Sequence, residues 1–404
     1  MSRSAAVGHG WVGNVGVVTT QSNHTDVIDQ RFAPVAELMS SFAANDPDYS
    51  GQLAIYQGGN LVLDMSVGEH CTPDSMTGVF SCSKGAGAIV MALLVQQGLL
   101  DLDAPVAVYW PEFAAAGKAA VTVAQLLSHQ AGLPGVEGGF TQEELLDSRL
   151  AAGIIAAAAP LWTPGSTHSY HALTMGVFME ELARRCAQES LQEIFERRIR
   201  APHDIDFHLG LPEELEPRFR PVLKGANGEP APFIDPFSPM GLALNSTGGF
   251  DGPKGPSFEI MDVPNVRAIR EAGLAAIGGV ANARGLAKLY AAVSTGFVDE
   301  SGDEHAPLLT EATIAQVTQD RVFGLDRAGG YPGAFGIGFM KAHANNDFGS
   351  ARAFGHDGAN ASLGYADPAY GLALGYVPAR AEANGTGSRG GQLSVLARQV
   401  QLAG

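Results

Sequence analysis

The chain has 404 residues, of which 46% are hydrophobic and 17% charged, a composition typical of a compact globular protein rather than a disordered one. Its formal net charge is −17, so its surface repels polyphosphate and anionic lipid, and we expect neither a nucleic acid nor a membrane as its partner. The longest apolar stretches, 86–95 and 150–162, fall well short of the ~20 residues that a membrane span requires.

The N-terminal sequence and the number of cysteines indicate the cellular compartment in which we expect the protein. Residues 1–25 form a predicted N-terminal extension that lacks the basic segment and compact apolar run of a signal peptide, so we expect a cytoplasmic protein. Three cysteines (Cys71, Cys82 and Cys186) are too few and too scattered for a disulfide framework or a zinc site, and they predict free thiols. A second interpretation of Cys82 is that its thiol is a nucleophile, because it lies inside the serine motif described below.

The N-terminal elements are a helix, a hairpin and a second helix. Apolar residues recur at spacings of three and four from Val27 to Phe42 and predict a helix that opens after Thr25-Asp26. Runs at 53–56 and 61–67, separated by Gly58-Gly59-Asn60, predict a hairpin. The Ala-rich stretch from Ser81 to Leu99 then predicts a buried helix.

Helical patterns broken by Pro- and Gly-rich loops fill the middle of the chain, about 100–290. Ser190 and Glu193 form a capping box that opens a helix ended by Pro202. The stretch 225–256 has no periodicity and predicts a long loop of the kind that often covers a site. The remaining predicted elements are a helix at 283–293, short apolar runs at 353–355, 362–366 and 372–377, and a closing helix at 392–401.

Strand patterns at both ends and helical patterns between them indicate an α+β fold, an α/β sandwich. In this fold one antiparallel sheet, built from N- and C-terminal segments, is flanked by helices, and a mostly helical lobe adjoins it. We expect a single domain over 26–404, with an α/β lobe from 26–80 and 290–404 and a helical lobe from 81–289. A cleft between the two lobes is the expected place for a functional site.

The strongest chemical signal is the S-x-x-K motif from Ser81 to Lys84 at the start of the buried helix. Residues three apart share a helix face, so the Lys84 amine can reach the Ser81 hydroxyl. A serine needs a base to take its proton, and a lysine can be that base when burial lowers its pKa. The helix N-terminus adds N–H groups that favour an oxyanion. The spacing alone also fits an ordinary serine with a solvated lysine, so the motif depends on its context.

That context is a series of short segments in a fixed order. They are GLLDLDAP at 98–105, Trp110-Pro111, VTV at 121–123, LLSHQAGLP at 126–134, WTPG at 162–165, GGV at 278–280, ARGLA at 283–287, FGIGF at 335–339 and GHDG at 355–358. Over about residues 30–400 the chain resembles the class C β-lactamase-related superfamily of penicillin-recognising serine hydrolases. The resemblance implies a β-lactamase/transpeptidase-like fold and an acyl-serine mechanism that needs no metal or organic cofactor.

The resemblance also implies a role for each motif residue. Ser81 and Lys84 match the nucleophile and its lysine partner, and Tyr170 matches the tyrosine of the Y-x-N element, which relays protons to the leaving group. His356-Asp357-Gly358 stands where the family has K-T-G or, in esterases and aminopeptidases, H-x-G. The oxyanion hole would be formed by the backbone amides of Ser81 and Ala359.

Two departures from the β-lactamase pattern favour esters as substrates. The second motif reads Tyr170-His171-Ala172 and lacks the family's asparagine. The third has His356 in place of the lysine that pairs with a β-lactam carboxylate, and the neighbouring Asp357 reduces the attraction for such a carboxylate further. Both features resemble family VIII carboxylesterases and related acyltransferases. We expect Gly358, Asp357 and His171 to contact the substrate.

The predicted function is a carboxylesterase that acts on small-molecule esters through an acyl-enzyme on Ser81. The principal alternative is an acyltransferase of a small-molecule pathway, which would use the same intermediate and differ only in its acceptor. The aromatic, Pro-rich segment 233–250 would shape the pocket in either case. β-Lactamase or D-amino-acid peptidase activity and a non-catalytic binding protein are further alternatives, and the sequence leaves the oligomeric state open.

Overall fold

The computed structural model describes residues 26–225, 234–245 and 260–402. The predicted extension at 1–25 and much of the predicted loop, 226–233 and 246–259, lie outside the described residues. The strands are β1 (Val27–Ile28), β2 (Gly51–Gln57), β3 (Asn60–Val67), β4 (Thr77–Gly78), β5 (Phe207–His208), β6 (Val280–Ala281), β7 (Phe297–Val298), β8 (Glu304–His305), β9 (Val322–Leu325), β10 (Pro332–Phe335), β11 (Met340–Lys341), β12 (Phe354–Asp357), β13 (Leu363–Asp367) and β14 (Leu372–Pro378). The helices are α1 (Ala33–Asn45), α2 (Cys82–Gln96), α3 (Val123–Leu127), α4 (Gln142–Leu146), α5 (Ser148–Ala157), α6 (Thr174–Ala187), α7 (Leu191–Phe195), α8 (Pro239–Ala243), α9 (Arg267–Ala272), α10 (Ala283–Ser294), α11 (Glu311–Val317) and α12 (Arg389–Leu402).

One antiparallel sheet joins the two ends of the chain. Its strand order is β1-β3-β2-β14-β13-β12-β11-β10-β9. The strand β2 pairs with β14 along its whole length, from Gly51 opposite Pro378 to Gln57 opposite Leu372. The predicted fold class, an antiparallel sheet built from N- and C-terminal segments and flanked by helices, is confirmed.

Both faces of the sheet are covered, and β2 shows how its sequence allows this. Leu53 and Ile55 belong to an apolar cluster with α1 and α12, whereas Ala54 and Tyr56 belong to a second cluster with α2 and α10. Alternate residues of a strand point to opposite faces, so a strand with apolar residues on both faces fits between two helical layers.

Helix α2 runs through the interior and brings its N-terminus to the cleft. Every residue from Cys82 to Leu94 is buried. Gly87 packs closely against α6, since a Cβ there would lie 2.7 Å from the methyl carbon of the flexible Met179 side chain. Among the described helices, none has both the length and the apolar character needed to cross a bilayer.

Two predicted helices have different bounds in the structure. The first was expected from residue 27, but Val27 and Ile28 pair with Asp64 and Leu63 as an edge strand. Helix α1 begins only at Ala33, next to a proline that suits a first helical turn. The helix opened by the Ser190 capping box is regular to Phe195, widens into a π turn at 196–200 and ends in a 3-10 turn at 201–203 that contains Pro202.

Candidate active site

Ser81 stands directly before α2, at the end of a tight turn. Phe80 has φ +46°, a left-handed conformation that is costly for a bulky residue and that persists only when its surroundings enforce it. Phe80 is fully buried, and its carbonyl accepts a hydrogen bond from the Ser83 hydroxyl. The Ser83 hydroxyl oxygen in turn accepts from the Gly279 backbone N–H at 2.8 Å. These contacts hold Ser81 at the positive end of the helix.

Lys84 is buried beneath Ser81. Its Nζ lies 3.0 Å from Ser81 Oγ and donates to the Ala276 carbonyl at 2.8 Å, and the side chain has no exposed surface. Burial lowers the pKa of Lys84 to about 7, although the Asp357 carboxylate opposes the shift. A large fraction of Lys84 is therefore neutral near physiological pH, which is the form that can accept a proton from Ser81.

Glu180 holds the chain segment that supplies the carbonyl partner of Lys84. Its Oε1 accepts from the Ala275 backbone N–H at 2.9 Å and from Gln192 Nε2 at 3.1 Å. Burial raises the pKa of Glu180 to about 7. No motif marks this residue in the sequence, since its contact with Ala275 spans 95 positions.

The loop that carries Tyr170 is anchored at three consecutive amides. The Ser169 N–H donates to the His129 carbonyl at 3.1 Å, and the His171 N–H donates to His129 Nδ1 at 3.0 Å. Between them, the Tyr170 N–H donates to Asp326 Oδ2 at 2.5 Å. Sequence reasoning missed Asp326 as a site residue, because no local pattern connects it to a loop 156 positions away.

The Tyr170 hydroxyl lies between the serine and the third motif. It is 3.5 Å from His356 Nε2, and its interaction with the Ser81 side chain favours the phenolate without outweighing burial. Burial raises the pKa of Tyr170 well above its ordinary value, so the side chain is a neutral phenol at physiological pH.

His356 is buried and neutral. Its Nδ1 donates to the Asp357 backbone carbonyl at 2.7 Å, which leaves Nε2 free to accept from Tyr170. Burial lowers the pKa of His356 to about 3, with a smaller contribution from Lys84. The 3.8 Å approach of Nδ1 to the Asp357 carboxylate is therefore not an ion pair. The third motif thus places a neutral imidazole where a β-lactamase has a lysine.

The two residues expected to form the oxyanion hole, Ser81 and Ala359, both line the cavity. Among the described residues, the backbone N–H of neither one donates to a backbone carbonyl. Gly358, just before Ala359, packs so closely that a Cβ would lie 2.4 Å from the Val79 carbonyl oxygen. The Gly358 N–H donates to the Ser362 carbonyl at 2.7 Å and closes the turn. Glycine is therefore required here by close backbone contact.

The cavity has a volume of about 480 Å³, and its wall has an apolar part and a polar part. Its apolar part consists of Ala172, Met240, Ala243, Leu244, Phe335 and Met340. Its polar part includes His343, Asn345, Asn346, Asp357 and Asn384. Helix α8 supplies part of the apolar wall, so the described part of the predicted segment 233–250 borders the cavity. Phe233 and Phe250 themselves lie outside the described residues.

The structure brings Ser81, Lys84, Tyr170, His356 and the Ala359 amide together at one cavity and places His171 elsewhere. His171 is fully buried, its Nε2 accepts from the Leu133 N–H at 3.1 Å, and its Nδ1 lies 3.3 Å from His129 Nδ1. Both ring nitrogens are therefore engaged within the protein, and His171 supports the loop from behind. Within the described part of the chain, no group of three His, Cys, Asp or Glu side chains is arranged to hold a metal ion.

The sequence profile of the family described as Beta-lactamase matches residues 39–398 of this chain. The chain belongs to the β-lactamase family. This assignment confirms the predicted resemblance and accounts for the order of the short segments along the chain.

Members of the β-lactamase family with esterase names are among the similar proteins. The structure of EstA from Arthrobacter nitroguajacolicus Rue61a is 52% identical, covers 94% of this chain and 99% of its own, and superimposes with a TM-score of 0.89. A family VIII carboxylesterase structure is 29% identical over 93% of this chain and 98% of its own, with a TM-score of 0.80. The esterase/β-lactamase LipL of Mycobacterium tuberculosis is 33% identical over 86% of this chain and 81% of its own. The predicted enzyme class, a serine hydrolase of the β-lactamase fold with esterases among its homologues, is confirmed.

Proposed function

We propose that this protein is a carboxylesterase that cleaves small-molecule esters through an acyl-enzyme on Ser81. The observation that carries the proposal is the fully buried Lys84 amine, which lies 3.0 Å from Ser81 Oγ beside a neutral Tyr170. This arrangement has a nucleophile and a proton donor in the wall of a cavity large enough for a small ester, and beneath them a base that is partly neutral at pH 7.

Acylation begins when neutral Lys84 accepts the Ser81 proton and Oγ bonds to the ester carbonyl carbon. The carbonyl oxygen becomes an oxyanion and accepts hydrogen bonds from the Ser81 and Ala359 amides. The bond to the alcohol oxygen then breaks, and that oxygen takes a proton through Tyr170, which regains one from Lys84. Water repeats the sequence on the acyl-serine and releases the carboxylic acid.

The third motif favours esters over β-lactams as substrates. A β-lactam carries a carboxylate, and the neutral His356 offers it no positive charge. Asp357, which borders the same cavity, repels it. The name of the family VIII carboxylesterase supports esters as substrates, whereas LipL is named both an esterase and a β-lactamase.

The test is p-nitrophenyl butyrate hydrolysis with intact-mass spectrometry on the parent protein, Ser81→Ala and Cys82→Ala. We expect the parent to release p-nitrophenol and to show a transient butyryl mass, and Ser81→Ala to lose both, with hydrolysis reduced by ~10³-fold or more. Cys82→Ala is the matched control, since it removes the neighbouring thiol, and it should retain both signals. Nitrocefin should be turned over far more slowly than the ester.

An unchanged rate or an acyl mass in Ser81→Ala would refute the assignment of the nucleophile. Added alcohol or amine acceptors separate the two acyl-serine functions. If they capture the acyl group in preference to water, the protein is an acyltransferase rather than an esterase.

A further inference from the structure

Among the described residues, the Asp357 carboxylate in the cavity wall has a neutral hydrogen-bond donor. Its side chain is 17% exposed and borders the same cavity as Ser81. Asn346 Nδ2 donates to its Oδ2 at 2.9 Å. This donor is a neutral amide, so it orients the carboxylate without neutralising it.

No cation of the described cavity wall pairs with Asp357. The described residues of the wall include neither lysine nor arginine. The nearest amine, Lys84 Nζ, instead contacts Ser81 Oγ and the Ala276 carbonyl. The adjacent His356 ring is neutral.

The second carboxylate of the wall, Asp326, is fully engaged. Its oxygens accept hydrogen bonds from the backbone N–H groups of Tyr170, Ala328 and Gly329, and the residue is only 2% exposed. Among the described residues of the wall, Asp357 is therefore the carboxylate that remains available to a bound molecule. A contact with it inside a partly enclosed cavity is screened by salt much less than a contact at the surface.

We propose that Asp357 is a specificity-determining residue that selects esters bearing a cationic ammonium group and rejects esters bearing a carboxylate. The apolar wall, which includes Met240, Leu244 and Phe335, would accommodate the uncharged remainder of the substrate. The inference rests on the proposed esterase function, because it names the substrate class of the same site.

The experiment compares kcat/KM for esters that differ mainly in charge. Choline butyrate and 3,3-dimethylbutyl butyrate form a cationic and neutral pair in the alcohol half. In the acyl half, the phenyl esters of 4-(trimethylammonio)butanoate, pentanoate and glutarate form a cationic, neutral and anionic series. In 0.5 M NaCl we expect kcat/KM of the parent to be at least tenfold higher for the cationic ester than for its neutral partner, in either the alcohol pair or the acyl series. Its kcat/KM for the glutarate ester should be at least tenfold lower than for the pentanoate ester.

The variants assign that preference to one carboxylate. Asp357→Asn keeps the size of the side chain and should bring both ratios to within threefold of unity. Each ratio compares two esters on the same variant, so the result does not depend on whether the variant also changes the rate for neutral esters. Asp347→Asn is the matched control: it removes the same charge from an exposed side chain near the cavity and should leave both ratios unchanged. Asp357→Ser provides a second neutral variant if Asp357→Asn does not fold.

Three results would overturn the inference: a parent protein without charge preference, a preference that survives in both neutral variants, or a preference that Asp347→Asn abolishes. Ser81-dependent hydrolysis of the neutral esters tests the proposed function separately. Turnover of neutral esters without charge selection therefore refutes only the inference about Asp357. Absence of all turnover refutes both that inference and the proposed esterase function.

Discussion

Burial sets the protonation state of the three side chains around Ser81. It is the largest cause of the lowered pKa of Lys84, of the lowered pKa of His356 and of the raised pKa of Tyr170. In each case the low-dielectric surroundings disfavour the charged form. The Lys84 amine, the His356 imidazole and the Tyr170 phenol are therefore neutral or nearly so. Protons can pass between these groups without His356 becoming fully charged.

We expect the pH dependence of hydrolysis to report Lys84. Because its pKa is about 7, kcat/KM should rise with pH through that value and level off above it. His356, with a pKa of about 3, should add no step between pH 5 and 9. Burial raises the pKa of Glu180 to about 7 and that of Asp357 to about 6, so the step belongs to Lys84 when it persists in both Glu180→Gln and Asp357→Asn. A pH–rate profile with p-nitrophenyl butyrate checks this, and a profile flat from pH 5 to 9 would contradict Lys84 as the base.

Replacing Lys84 separates its catalytic role from its effect on stability. Lys84→Met should reduce kcat/KM by ~10²–10⁴-fold. The folded-state pKa lies below the ordinary 10.5, so the unfolded chain binds the extra proton and Lys84 destabilises the fold most below pH 7. The gain in Tm from Lys84→Met should therefore be largest near pH 6 and vanish toward pH 10.5. Lys118→Met, at another buried lysine, should retain activity.

At the scale of elements, the Tyr170 loop is positioned by residues from two other parts of the chain. His129, just after α3, has φ +66° and bonds the amides on both sides of Tyr170. Asp326, just after β9, bonds the Tyr170 amide itself. The loop has no regular structure of its own, so its geometry depends on these contacts.

Removing the Asp326 carboxylate should therefore impair catalysis more than binding. We expect Asp326→Ala to lower kcat on the order of 10²-fold, because small displacements of a catalytic group have effects of this size. KM for p-nitrophenyl butyrate should change much less. Asp326→Asn, which keeps one acceptor oxygen, should restore part of the rate, and the exposed Asp320→Ala is the control. Equal changes in kcat and KM, or none, would show that Asp326 does not position Tyr170.

At the scale of the molecule, one sheet joins the two ends of the chain within the α/β lobe, and one continuous core joins that lobe to the helical lobe. The β2–β14 ladder joins residues that are more than 300 positions apart. The cluster that contains Tyr56 of the sheet also contains Leu94 of α2, Phe178 of α6 and Trp110 of the helical lobe. We therefore propose that the lobes fold as one cooperative domain, as the sequence predicted for 26–404.

The expected outcome is a single unfolding transition. In a Trp11→Phe background, the remaining tryptophans, Trp110 and Trp162, lie in the helical lobe, and their fluorescence should change at the same urea concentration as the far-UV circular dichroism. Leu374→Ala, in the buried sheet strand β14, should shift both transitions equally, by the ~2–5 kcal/mol typical of such substitutions. Separate midpoints, or a shift in only one signal, would indicate two independent domains.

Local features of the fold and the site could be predicted from the sequence. The hairpin of β2 and β3 follows from its glycine turn, and the capping box at Ser190 forms as expected. The distance between Ser81 and Lys84 follows from helix geometry, because residues three apart share a face wherever the helix lies. The order of the family segments added Tyr170 and His356 to this pair.

Only the tertiary structure decided the contacts that control these residues. The anchoring of Tyr170 by Asp326 and the support of Ala275 by Glu180 join distant parts of the chain. Such contacts have no period or spacing in the sequence, since packing of whole elements brings the residues together. The same packing removes water from Lys84, so its lowered pKa and its capacity to act as a base are properties of the folded molecule.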